Sequence, residues 1–266
     1  MIAAFDGWND AGSAATAAVD LLARAWDAEV VQKFDPEDYH DFQVNRPITM
    51  NDNGIRRLEW PDTTISLAIA PSGRNVLFVQ GVEPSLRWRS YCEEIIETGH
   101  VYGVDLLIGV GALLADTPHT RPIPTHRTSE DPRLRAELGL DRSDYEGPTG
   151  IVGVLAHLAL QQHIPSVSVW AAVPHYVAQP PSPKATLAIL GALEETLEEA
   201  LPTEDLVEES RAWQRGVDEL ADQDPEISDY VRQLEEAKDT TELPEASGEA
   251  IAREFERYLR RRDERG

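Results

Sequence analysis

The sequence has little cysteine, little lysine and no long apolar run. Cys92 is the only cysteine among 266 residues, which excludes an intrachain disulfide and a metal site built from several cysteines. No apolar run approaches the roughly 20 residues that a membrane-spanning helix requires. No basic start followed by a long apolar stretch marks a signal peptide. We therefore expect a soluble, cytoplasmic protein without a membrane partner.

The charges are mostly of one sign. The chain carries 48 acidic against 24 basic side chains, a net charge of −24. Such a chain repels phosphate backbones and anionic membrane surfaces, so we expect no nucleic-acid partner. Only Lys33, Lys184 and Lys238 are lysines. This arginine preference indicates a GC-rich, actinobacterial genome, with a halophile as the alternative.

Apolar runs alternate with amphipathic stretches along residues 1–202. The patterns predict strands at 2–5, 29–34, 55–60, 64–70, 75–80, 104–110 and 167–173, and helices at 12–26, 86–101, 149–162 and 183–200. The runs at 55–60 and 64–70 flank Pro61-Asp62 and predict a hairpin. Residues 35–47 and 116–148 are predicted as loops. Alternating strands and helices predict an α/β fold with a mostly parallel sheet covered by helices.

The pattern changes after Pro202, where no strand-like run follows. Three apolar stripes predict three amphipathic helices; their members are Leu206, Trp213, Val217 and Leu220, then Ile227, Tyr230, Val231 and Leu234, then Ile251, Phe255, Tyr258 and Leu259. Short helices of this kind need a packing partner. We therefore predict an α/β domain at 1–202 and a helical appendage at 203–266, packed on that domain or on a neighbouring subunit.

Polar residues follow four of the predicted strands. In open α/β sheets, ligands and partners meet the carboxyl ends of the strands. A catalytic site there would use Asp6, Glu83, Asp116, His119 and His175. The candidates for a ligand site or an interface are Asp6, Trp8, Asn9, Asp10, His119, Arg121, His175 and Tyr176. The structural alternatives are a helix cap at Asp10 and a polar loop around His119 that is held by prolines.

Several common catalytic motifs are missing. There is no G-x-G-x-x-G and no P-loop, and Asp6 and Asp10 would repel a phosphate at the first helix start. The serine-hydrolase motif G-x-S-x-G is also missing. No two histidines have the spacing of a metal site, so we expect neither a metal nor a cofactor. The helix start at Gly147-Pro148-Thr149-Gly150 offers either amides for an oxyanion or a cap from Thr149.

Four segments follow one another in the chain: Ile2-Ala3-Ala4-Phe5-Asp6-Gly7-Trp8-Asn9-Asp10-Ala11-Gly12, Asp116-Thr117-Pro118-His119-Thr120-Arg121-Pro122, Tyr145-Glu146-Gly147-Pro148-Thr149-Gly150 and Pro174-His175-Tyr176-Val177. In this order they resemble the proteasome assembly chaperone family of the second type, in its actinobacterial branch. The resemblance implies a three-layer α/β sandwich related to the phosphorylase/hydrolase class. It also implies self-association, as a homo-oligomer and specifically a trimer, and residues ahead of the first strand.

Two functions follow as hypotheses. The first is a non-enzymatic, self-associating assembly or scaffold protein that acts on proteasome α-subunits. The second is a hydrolase or small-ligand-binding protein with its site at the strand ends. The structure discriminates between them, because a shared pocket with converging side chains favours an enzyme, whereas separately hydrogen-bonded side chains favour a scaffold.

Overall fold

A computed structural model describes residues 1–203 and 205–242. The third amphipathic stripe, at Ile251, Phe255, Tyr258 and Leu259, lies outside the described residues. The strands are β1 (Ile2–Asp6), β2 (Glu29–Lys33), β3 (Ile48–Asp52), β4 (Ile55–Glu59), β5 (Thr63–Ile69), β6 (Asn75–Val82), β7 (Leu107–Ala115), β8 (Thr125–Thr128) and β9 (Ser166–Pro174). The helices are α1 (Ala14–Ala25), α2 (Pro36–Tyr39), α3 (Trp88–Val101), α4 (Pro132–Leu138), α5 (Ile151–Gln161), α6 (Pro183–Leu197), α7 (Leu206–Gln223) and α8 (Pro225–Glu242).

Seven strands form one mixed sheet in the order β2-β5-β6-β1-β7-β9-β8. The central strands β6, β1, β7 and β9 run parallel, and β2, β5 and β8 join antiparallel towards the edges. The predicted α/β fold with a mostly parallel sheet is confirmed. Central strands such as β1 carry nearly continuous apolar residues because helices cover both of their faces.

Helices cover the sheet on both sides and complete the three-layer sandwich. On one face α1 and α6 pack together, and their apolar side chains join Ile2, Phe78 and Val169 in the larger core cluster. On the opposite face α3 and α5 pack together around Phe5, Tyr91 and Leu155. Helix α7 packs on α6, and α8 packs on α7. Among the described residues, no helix is both long and apolar enough to cross a membrane.

The predicted hairpin of residues 55–60 with 64–70 is wrong. Strand β4 pairs with β3, and β5 pairs with β6 and β2. Asn53 and Gly54 connect β3 to β4 with positive φ angles of 51° and 87°, as the tight Asn-Gly turns of hairpins require. Strand β5 instead enters the main sheet because Ile65 is buried in the core beneath α3.

The two predicted loops contain short elements. Helix α2 lies in residues 35–47, capped by the side chain of Asp35, which accepts a hydrogen bond from the amide of Glu37. Strand β8 and helix α4 lie in residues 116–148. Four residues of β8 pair with β9 at the edge of the sheet. An exposed edge strand carries polar side chains, so it gives no apolar signal in the sequence.

Candidate functional site

The structure places the four polar strand ends at one edge of the sheet, as predicted. Asp6 ends β1 and Glu83 follows β6, while Asp116 follows β7 and His175 follows β9. Because these four strands run parallel, their carboxyl ends meet at the same edge. The side chains form two groups at this edge, one around Glu83 and one around Tyr176.

The first group, the Glu83 cluster, comprises Asn9, Glu83 and the first amide of α5. Asn9 is only 1% exposed, and its Nδ2 donates to Glu83 Oε1 over 2.7 Å. The same oxygen accepts from the backbone amide of Ile151 over 2.8 Å. A carboxylate at a helix N-terminus is favourable because it balances the positive end of the helix dipole. Glu83 therefore accepts from the first amide of this helix, and α5 has no side-chain cap hydrogen bond.

Close packing supports the Glu83 cluster. A Cβ atom on Gly150 would lie 2.3 Å from Asn9 Oδ1, so only glycine fits directly before α5. The amide of Ala112 donates to the backbone oxygen of Asn9 over 2.8 Å, which extends the pairing between β1 and β7. The Asn9 Oδ1 atom is buried and has no hydrogen-bond partner among the described residues. Through its hydrogen bonds, the cluster joins the segment after β1 to the end of β6 and to the start of α5.

Asp10 caps α1, which confirms the cap predicted from the sequence. Its Oδ1 accepts from the amides of Ala15 over 2.7 Å and Thr16 over 3.3 Å. The Thr16 hydroxyl donates to Oδ2 of the same carboxylate. Ser13 lies directly before α1 with a left-handed φ of 51° and makes no side-chain cap. Burial raises the pKa of Asp10, and the bonds to Thr16 and Ala15 oppose that shift.

Asp6 and Trp8 lie at the surface beside these groups. Both side chains are exposed, and the Trp8 indole is 65% accessible. The backbone oxygen of Asp6 accepts from the amide of Glu83 over 2.8 Å. Asp6 and Trp8 therefore contribute exposed surface next to the buried Glu83 cluster.

The second group, the Tyr176 cluster, comprises His119, Tyr176 and Asp218. His119 is 1% exposed. The Tyr176 hydroxyl accepts from the backbone amide of His119 over 2.7 Å and lies 2.7 Å from His119 Nδ1. The Asp218 carboxylate can only accept, so His119 Nε2 carries a hydrogen and donates to Asp218 Oδ1 over 3.0 Å. In a neutral ring Nδ1 is then the acceptor, and the Tyr176 hydroxyl donates to it.

Burial keeps the His119 ring neutral. Desolvation lowers the pKa of His119, and the hydrogen bond to Asp218 opposes this effect. Burial also raises the pKa of Tyr176 to about 12, so its hydroxyl keeps its proton. Both ring nitrogens of His119 are used within the chain. His119 therefore connects Tyr176 to Asp218 on α7 through its two ring nitrogens.

Lys184 and Arg121 extend these contacts to α7 and α8. The Lys184 ammonium donates to the backbone oxygen of His119 and, over 2.7 Å, to Gln214 Oε1 on α7. Arg121 binds both carboxylate oxygens of Asp239 on α8, at 2.9 and 2.7 Å. It also binds Glu235 Oε1 at 3.1 Å. Two-point contacts between arginine and carboxylate fix orientation as well as distance, so Arg121 sets the position of α8.

Asp116 and His175 meet at the outer side of the same region. His175 Nδ1 lies 3.2 Å from Asp116 Oδ1, and both side chains are largely exposed. The Tyr230 hydroxyl of α8 donates to the same Asp116 oxygen over 3.1 Å. The Tyr230 ring also contacts the rings of His175 and Tyr176, with centroids 5.5 and 6.0 Å away. These residues therefore contribute a further contact between the strand ends and α8.

The five catalytic candidates thus divide between two groups. Glu83 and Asp6 lie together, whereas His119 and His175 contact the Tyr176 ring and Asp116 contacts His175. Within the described part of the chain, no group of three or more histidine, cysteine or acidic side chains could hold a metal. Burial raises the pKa of Cys92 to about 12, so its thiol stays protonated.

Sequence reasoning missed the residues of α7 and α8 that complete the Tyr176 region. Asp218, Glu235 and Asp239 lie far along the chain from His119 and Arg121. One signal was available, because Glu235 and Asp239 are four residues apart and share one helix face. Two carboxylates on one face suit a single arginine, although the sequence does not say which one.

Comparisons with known proteins agree with this architecture. The model of the PAC2 family matches residues 4–221. The crystal structure of a PAC2 family protein from Streptomyces avermitilis is 50% identical, with a TM-score of 0.80, and the match covers 87% of this chain and 98% of that one. A proteasome-assembly chaperone homologue from Mycobacterium tuberculosis is 44% identical, with a TM-score of 0.79, covering 86% and 98%.

A more distant structure shares the fold alone. PbaB, an archaeal proteasome activator from Pyrococcus furiosus, is 14% identical with a TM-score of 0.66, and the match covers 82% of this chain and 91% of that one. A search of curated proteins found no match. The family model and the two actinobacterial structures agree with the resemblance read from the four sequence segments. This chain therefore belongs to the PAC2 family.

Proposed function

We propose that this protein is a non-enzymatic, self-associating assembly chaperone that acts in the cytoplasm on proteasome α-subunits. The observation that carries the proposal is the similarity, over nearly the whole chain, to the Mycobacterium tuberculosis proteasome-assembly chaperone homologue. The proposed homo-oligomer, with three copies, comes from the resemblance to the family.

The geometry of the strand ends supports a binding role over catalysis. Both ring nitrogens of His119 and the Oε1 atom of Glu83 form hydrogen bonds within the chain. His175 and Asp116 are exposed, but Tyr230 of the chain's own α8 contacts both of them. The hydrolase alternative stays a prediction. The binding role is supported because His119, Asp116 and His175 contact the chain's own helices α7 and α8.

The experiment is direct binding between purified components. The full chain is mixed with purified α-subunits of the source organism's proteasome, and the complex is weighed by native mass spectrometry and light scattering. We expect a homo-oligomer alone and a defined complex with α-subunits. Proteasome β-subunits serve as the control and should not bind. If the homo-oligomer does not bind α-subunits, their assignment as the partner is refuted. If the protein alone is a monomer, the self-association is refuted.

A further inference from the structure

The β3–β4 hairpin projects from the body with both faces in solvent. It forms a separate two-stranded sheet, and every residue of both strands is exposed. Its apolar side chains are nevertheless large, with Ile48 61%, Ile55 60% and Leu58 58% accessible. An isolated two-stranded hairpin is marginally stable in water and normally packs against something. The hairpin therefore has the surface of a segment that docks.

The charge of the hairpin differs from that of the rest of the chain. Residues 44–60 contain Arg46, Arg56 and Arg57 against Asp52 and Glu59, in a chain of net charge −24. The three guanidinium groups form no ion pair among the described residues. A basic, apolar arm on a strongly acidic molecule is electrostatically suited to an acidic surface, and the chain itself offers one.

An acidic groove of about 720 Å³ lies at the base of the hairpin. Four carboxylates line it; they belong to Asp20, Asp27, Glu59 and Asp62. Among the described residues that line it, the only cation is Arg24, which already pairs with Asp20 at 2.9 Å.

The groove opens beside the edge strand β2. The floor carries Thr64, Ser66 and Gln80 of strands β5 and β6. Within residues 1–203 and 205–242, no strand pairs with the outer side of β2, and Val30 and Val31 of this strand are exposed. Such an edge can accept backbone hydrogen bonds from another chain. The groove thus supplies carboxylates for arginines and an apolar, unpaired edge for a hairpin.

We infer that the β3–β4 hairpin of one copy docks into the acidic groove of a second copy, with Arg56 and Arg57, one on each face of β4, meeting groove carboxylates such as Asp20 and Asp62. This inference rests on the self-association proposed above and names its surface. Glu59 belongs to both the hairpin and the groove rim, so the two surfaces lie side by side on each copy. Surfaces placed in this way can close a symmetric assembly.

The experiment reverses the charges on each side. The hairpin variant carries Arg56→Glu and Arg57→Glu, the groove variant carries Asp20→Lys and Asp62→Lys, and a third variant carries all four changes. We expect each reversal alone to raise the dissociation constant of the homo-oligomer about 100-fold or more, because like charges then face each other. The fourfold variant should assemble with the mass of the original protein, since its attraction is restored with opposite signs.

The control variant is Arg211→Glu with Arg215→Glu, which makes the same charge change on exposed residues of α7. It should keep the original mass in analytical ultracentrifugation, and circular dichroism should show that all variants are folded. If the original protein is monomeric, the self-association itself is refuted. If the original protein assembles but the hairpin and groove variants assemble as well, only this docking surface is refuted. The same holds if the fourfold variant fails to assemble. A hairpin variant that dissociates while the groove variant assembles would point to another docking site.

Discussion

Replacing Tyr176 by phenylalanine tests the central contact of the Tyr176 cluster. The change removes only the hydroxyl, which accepts from the buried amide of His119 and donates to Nδ1 of the same residue. Two groups of a residue that is 1% exposed lose their partner together. The ring cannot turn to compensate without breaking the bond between Nε2 and Asp218.

The expected loss follows from the cost of unsatisfied buried groups. Each costs about 1–3 kcal/mol, so Tyr176→Phe should lower the free energy of unfolding by about 3 kcal/mol. For a chain of this size, that corresponds to a fall in Tm of about 6–12 °C. Urea unfolding and differential scanning calorimetry measure the two quantities. Limited proteolysis should also cut α7 and α8 faster, because His119 connects them to the body through Asp218.

Tyr230→Phe is the matched control. Its hydroxyl makes one hydrogen bond of 3.1 Å to the exposed carboxylate of Asp116. Water can replace that partner, so the loss should stay below about 1 kcal/mol. If the two phenylalanine variants unfold with free energies within about 0.5 kcal/mol of each other, the assignment of Tyr176 as the buried donor and acceptor is refuted.

Three further changes test the strand-end edge. Burial lowers the pKa of His119 from 6.5, so as the pH falls below 6.5 the unfolded chain binds a proton before the folded chain does. The free energy of unfolding should therefore fall with pH until the pKa of the folded state is reached. Urea unfolding at a series of pH values should show a smaller dependence of this free energy on pH for His119→Gln. Glu83→Ala should lower the free energy of unfolding, measured with urea, by about 2–3 kcal/mol because the Ile151 amide and the Asn9 side chain lose their acceptor. Glu83→Gln keeps an acceptor oxygen and should lower it by about 1 kcal/mol or less. Gly12→Ala should lower Tm more than Gly103→Ala, because both have positive φ but only the first places a Cβ atom against a neighbour, 2.7 Å from Ser182; equal losses would contradict this.

The buried strands could be predicted from the sequence because burial on both faces leaves a nearly continuous apolar run. Strands β1 and β9 are examples, and their ends correctly located the polar edge. The β3–β4 hairpin could not be placed by the same rule, since its residues are exposed and its apolar side chains point to both faces. The Asn53-Gly54 turn was the available signal, and it indicates pairing between 48–52 and 55–59.

The sequence predicts that His119, Arg121 and Tyr176 lie near the strand-end edge, but it does not predict which side chains they contact. Their partners Asp218 and Asp239 depend on where α7 and α8 fold back, which local sequence patterns do not encode. The predicted division at residue 202 stays a prediction, although Arg121 and His119 contact the helices beyond it.

The central position of β1 has a consequence for the order in which the chain folds. Ile2 pairs with Phe78 on one side and with Ile108 on the other. During synthesis, β1 emerges before both of its partners, and the sheet cannot close around it until β7 has left the ribosome. Contacts this distant in sequence form slowly, because a long loop must close first. Nascent chains that end before residue 107 should bind holdase chaperones, whereas chains that include β7 should begin to resist protease.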